Sequence, residues 1–139
     1  MNSEELRVKN EKNIAMKESV LAVKSYALAV RIVRLFKHLA EKEKEYTLSK
    51  QALRSGTSIG AMVREAAYVQ SKRDFINKLS VAVKEANETN YWLSLLKDTG
   101  YITQKMFDSI SADTEEVQKL LASSIITSKK SLKKNAEHK

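Results

Sequence analysis

The chain has 139 residues, no cysteine, no proline and three glycines, with 25 Lys or Arg against 17 Asp or Glu and a net charge of +8. The missing cysteines exclude disulfides, thiolate catalysis and the usual structural zinc sites, and scarce Gly and Pro exclude a turn-rich sheet protein. A domain of this size buries about two-thirds of its unfolded surface and folds without such staples, while the basic excess favours an acidic partner, either nucleic acid or an anionic surface.

Residues 1–13 are polar and weakly periodic, a frayed arm or an early extension of the first helix. This acidic start lacks the basic segment and apolar run of a signal peptide. No stretch approaches the roughly 20 apolar residues of a membrane span. A cytoplasmic protein with no membrane contact is therefore expected.

A first helix is predicted from Asn13 to Glu43. Leu21, Leu28, Ile32, Leu35 and Leu39 recur at helical steps on one face, which Val20, Val33 and Phe36 widen. Lys17, Lys24, Arg31 and His38 follow at intervals of seven, with Arg34 and Lys37 beside the last two. Such a stripe either neutralises phosphates or is ordinary solubilising surface. The charges from Glu41 to Glu45 read as a solvated helix end and loop.

Ser49 is expected to cap the second helix, with Leu48 and Leu53 as a hydrophobic staple. Its face is Ala52, Gly56, Ile59, Val63 and Ala66, much of it very small. Glycine inside a helix costs about 1 kcal/mol relative to alanine, and close helix approach is the usual compensation, so Gly56 and Gly60 are read as packing residues. The spacing of a phosphate-binding P-loop is absent. Lys50 and Arg54 add a basic pair.

The third helix is predicted to start at Ser71, with Asp74 completing a capping box. Phe75, Leu79, Ala82, Ala86, Thr89, Leu93 and Leu96 alternate steps of four and three, a seam that packs at a shallow crossing angle. Gly100 is a helix stop. Tyr91, Trp92 and Tyr101 cluster near that end, as core or interface residues or as a stacking surface for bases. Thr103 caps the fourth helix, whose buried face is Phe107, Ile110, Thr114, Val117, Leu121 and Ile125. The division expected is a polar arm over 1–13, a bundle over 14–128 and a basic tail over 129–139. The fold class is all-α, an antiparallel up-down four-helix bundle.

Nothing points to catalysis. His38 and His138 are the only histidines, and without cysteine a nucleophile-base pair would rest on His38 alone. Glu65, Glu85 and Glu88 raise the question of a carboxylate metal site, but neither Glu85 nor Glu88 heads a Glu-x-x-His pair. Ion pairs with Arg54, Arg64 or Lys84 are the simpler expectation. No enzyme, no metal and no cofactor are expected.

The run Glu45-Tyr46-Thr47-Leu48-Ser49-Lys50-Gln51-Ala52-Leu53-Arg54-Ser55-Gly56-Thr57-Ser58-Ile59-Gly60-Ala61, followed by Arg64-Glu65-Ala66, resembles the signature of the four-helix bundle proteins encoded in intervening sequences of bacterial 23S rRNA genes. A second block is similar: Asp74-Phe75-Ile76, Lys78-Leu79, Lys84-Glu85-Ala86, Glu88-Thr89, Tyr91-Trp92-Leu93 and Leu95-Leu96. Arg31-Ile32-Val33 with Leu35 fits the first-helix pattern. The resemblance spans residues 14–130 and departs at Met62, where the family usually has Asn. It implies a homopentamer of four-helix subunits without catalytic activity. It also implies similarity to the accessory proteins of diversity-generating retroelements, which bind nucleic acid and a reverse transcriptase through a basic surface. Such sequences are often called ribosomal proteins, a label that follows the gene location.

The function expected is therefore a non-enzymatic homo-oligomer that binds RNA or DNA non-specifically. The candidate contacts are Arg31, Arg34, Lys37, Lys50 and Arg54, then Lys129, Lys130, Lys133 and Lys134. The alternative is a scaffold that recruits another polypeptide, such as a reverse transcriptase.

Overall fold

The structure, a computed structural model, describes residues 1–137 apart from the side chains of residues 17–19. Lys17 of the basic stripe and His138 thus lie outside what is described. Four helices run up and down: α1 (Ser3–His38), α2 (Thr47–Ala66), α3 (Lys72–Asp98) and α4 (Gln104–Glu137). A π-helical turn, Leu39–Glu43, continues α1. The described residues contain no strand. Each helix packs on its chain neighbours, and α1 closes the ring against α4.

Local chemistry sets most of the ends. The Asn2 side chain accepts the Glu5 N–H at 2.8 Å and starts α1 within the polar segment. Ser71 Oγ accepts the Asp74 N–H at 3.0 Å, as its spacing predicts. Thr103 Oγ1 accepts the Met106 N–H at 3.1 Å. Gly100 takes φ +86°, the left-handed region where a side chain is strained, and α3 stops there.

The start of α2 differs from expectation. Ser49 lies inside the first turn, and Glu45 caps the helix instead. Lys44 takes a left-handed φ of +54°. That reversal turns the Glu45 carboxylate inward, where it accepts the N–H groups of Thr47, Leu48 and Ser49 at 2.9, 2.7 and 2.8 Å. Ser49 Oγ donates to the Glu45 carbonyl at 2.9 Å.

The core is the predicted leucine stripe of α1 against Ala52, Ile59, Val63 and Ala66 of α2, Leu79, Ala82, Ala86, Leu93 and Leu96 of α3, and Ile110, Val117 and Leu121 of α4. Burying each large aliphatic side chain contributes about 1.5–3 kcal/mol. Val20 and Val33 do not join it. They are 43% and 37% exposed, because the stripe of α1 that reaches the other helices is narrower than the sequence reading made it. Gly56 and Gly60 face α1. A Cβ at Gly56 would sit 2.8 Å from Ile32 Cγ1, and one at Gly60 would sit 3.3 Å from the Ser25 carbonyl oxygen. Between α2 and α3, Thr89 Oγ1 donates to Ser55 Oγ at 2.9 Å, which donates to the Gln51 carbonyl at 3.0 Å. This chain keeps two buried hydroxyls satisfied.

Candidate nucleic-acid interface

The candidate cations divide by whether the fold gives them a partner. Arg31 reaches from α1 to α4. It donates to Asp113 Oδ2 at 2.6 Å, to the Ser109 carbonyl at 3.1 Å and to Ser109 Oγ at 2.9 Å. Arg54 is clamped between Glu85 and Glu88 of α3, 3.2 Å from Glu85 Oε2, and Glu88 also accepts Trp92 Nε1–H at 3.1 Å. Glu65 pairs with Lys78 at 3.1 Å. The three carboxylates considered for a metal thus face cations. Lys24 likewise pairs with Glu116 at 3.3 Å.

Arg34, Lys37 and Lys50 are exposed and have no partner among the described residues. Arg34 and His38 border a shallow groove of about 270 Å³ between α1 and α4, with Arg31 at its edge and Met106 and Ile110 across from them. Lys129, Lys130, Lys133 and Lys134 are also exposed, on the last turns of α4, which stays helical through the segment read as a tail. Lys72 Nζ donates to Ser131 Oγ at 2.8 Å and ties those turns to the start of α3.

The outward side of α1 carries a pattern that the sequence reading missed. Met16, Val20, Val23, Ala27, Val30, Arg34 and Lys37 follow at alternating steps of four and three. Steps of this kind place residues on one nearly straight seam, as in coiled coils. Met16 is 67% exposed and Val23 63% exposed, while Val30 is half-buried. The seam is thus apolar along its first half and basic along its second. The signal was in the spacing, but the parallel leucine stripe of the same helix masked it.

Glu45 is the second omission. Burial alone pushes its carboxyl up, but the N–H groups of Leu48, Ser49 and Thr47 and the Ser49 side chain outweigh that, and its pKa falls below the ordinary 4.5. Its charge is used inside the fold, not offered to a ligand. The aromatic cluster is structural in part. Tyr91 and Trp92 meet edge to face at 5.0 Å, and Trp92 is half-buried.

The model of the family described as 23S rRNA-intervening sequence protein matches residues 17–123. Among solved structures, a protein of unknown function from the S23 ribosomal protein family of Bacteroides thetaiotaomicron is 57% identical, with a TM-score of 0.78, over 78% of this chain and 97% of that one. Comparison with curated proteins gives no match.

Proposed function

The chain belongs to the 23S rRNA-intervening sequence protein family, and we propose that it is a non-enzymatic homo-oligomer that holds RNA or DNA against unpaired lysine and arginine side chains. The observation that carries this reading is the outward seam of α1. Of its five apolar positions, Met16, Val20, Val23 and Ala27 are exposed and Val30 is half-buried, and helices with such seams associate. Arg34 and Lys37 continue the seam, so subunits joined along it bring their basic ends together. A pentamer is the assembly proposed, on the family resemblance.

Affinity then comes from phosphate contacts, falls steeply with salt and shows little base preference. Arg34, Lys37 and Lys50 carry the contacts, with the α4 lysines at the other end of the bundle. Arg31 and Arg54, by contrast, hold helices together. A filter-binding titration with structured RNA at low salt tests this. The Arg34→Glu/Lys37→Glu variant is expected to lose retention while the oligomer persists, and Arg54→Gln is expected to bind as wild type. Retention unchanged by the double reversal overturns the assignment.

The same apolar seam supports a second reading, a scaffold that takes a helix of another polypeptide such as a reverse transcriptase. Affinity capture from nuclease-treated lysate separates the two. A partner that survives nuclease favours the scaffold.

A further inference from the structure

Two tyrosines stand in water where the bundle has room to bury them. Tyr68, in the α2–α3 link, is 82% exposed, and Tyr26 on α1 is 60% exposed. Both border a cavity of about 620 Å³ bounded by α1, α2 and α3. Its floor is Leu21, Val63, Phe75 and Leu79, and its walls are alanines and Gly60. Small walls on close-packed helices leave the space open, and its volume lies within the roughly 300–1,000 Å³ of small-ligand sites.

The rim carries Arg64 and, paired with Lys78, Glu65. The Arg64 guanidinium lies 5.8 Å from the centroid of the Tyr26 ring and has no ion pair among the described residues. At the start of α3, Lys72 is tied to Ser131, which brings the basic end of α4 to the same end of the bundle. Tyr26 lies beside the Met16–Val30 seam and is not one of its positions.

We infer that this cavity seats an unpaired base of single-stranded nucleic acid, stacked against Tyr26 and Tyr68, with a flanking phosphate on Arg64. An apolar slot with aromatic edges matches a base, which has two π faces, and the unpaired Arg64 at its rim matches a flanking phosphate. Bases in a duplex are stacked on each other and cannot enter. The inference rests on the nucleic-acid reading above and narrows it to strands with a free base.

The test is equilibrium binding of a short labelled single-stranded RNA, the same strand with abasic sites, and a duplex of the same sequence. Wild type is compared with Tyr68→Ala, Tyr26→Ala, Tyr68→Phe and the Arg34→Glu/Lys37→Glu variant. Both tyrosines are exposed, so truncation leaves the core intact. Each alanine variant is expected to lose about 5- to 150-fold in single-strand affinity, with duplex affinity unchanged. Tyr68→Phe keeps wild-type affinity, and the abasic strand binds wild type as weakly as the intact strand binds the alanine variants. Alanine variants that bind the intact strand as wild type does, or an abasic strand that binds wild type as well as the intact one, overturn the inference. So does dissociation of the oligomer by either alanine variant, which makes the cavity a subunit contact. If only Arg34→Glu/Lys37→Glu weakens binding, the base site falls and the nucleic-acid reading stands. If wild type binds no nucleic acid at low salt, both fall.

Discussion

Glu45 is 8% exposed, and its carboxylate accepts three backbone N–H groups at the first turn of α2. Those donors have no intrahelical partner, and the positive helix end favours the charge. The folded pKa therefore lies below the ordinary value of 4.5, against the opposing effect of burial. A carboxyl with a depressed folded pKa stabilises the fold above its unfolded pKa and loses that contribution as pH falls through the folded value. Urea unfolding should give a stability that declines as pH drops below about 4.5. Glu45→Ala should lose about 1–2 kcal/mol at neutral pH and flatten that decline. A variant that keeps the wild-type pH dependence contradicts the cap. Ser71 and Thr103 could be read from sequence because a hydroxyl three residues before an N–H needs only a local turn. Glu45 could not be read, because Glu41, Glu43 and Glu45 look alike until the left-handed backbone at Lys44 selects one to point inward. Arg31 was beyond reach for another reason: its carboxylate, Asp113, lies on another helix, and the register between helices is not written in either one. The pairing of Arg54 with Glu85 and Glu88, by contrast, is the one the sequence leads one to expect.

At the scale of the element, α1 does two jobs. Its Leu21–Leu39 stripe fills the core, and the Met16–Lys37 seam looks away from it. Helical periodicity finds apolar faces but does not say which face its own chain will cover, so it places Val20 and Val33 inward although both are exposed. The α1–α2 contact shows what a short sequence signal does settle. Two glycines four apart on α2 imply a close neighbour, and Ile32 is that neighbour at Gly56. Adding a methyl there improves helix propensity by about 1 kcal/mol but overpacks a buried side chain at a cost of about 1–3 kcal/mol. Gly56→Ala should therefore lower stability by about 1 kcal/mol net, measured by chemical denaturation. An increase in stability contradicts the close approach. The polar end segments show the weight of local propensity, the first of them as the early extension of α1 that the sequence allowed. Residues 3–13 and 129–137 are helical although little of their surface is buried, because Asn2 caps one end, Lys72 holds the other and the intervening residues are good helix formers.

The whole molecule combines a complete core with an incomplete surface. Four helices bury their large aliphatic residues, which is why the fold class was legible from apolar spacing and from the absence of breakers. What the surface does was not legible, because the same Arg or Val serves as pair, seam or contact according to which chain lies opposite. The described residues contain no helix long and apolar enough to cross a membrane. The seam from Met16 to Lys37 runs about 32 Å along α1, long enough for a second helix to lie on it. Association would place several copies of a +8 chain side by side, and such an assembly favours polyanions at low ionic strength.

Sedimentation velocity of the wild-type protein with a labelled RNA at low salt tests this most directly. The RNA should travel with a protein species several times the 15.7 kDa subunit mass. A 15.7 kDa protein boundary with the RNA sedimenting free contradicts the account.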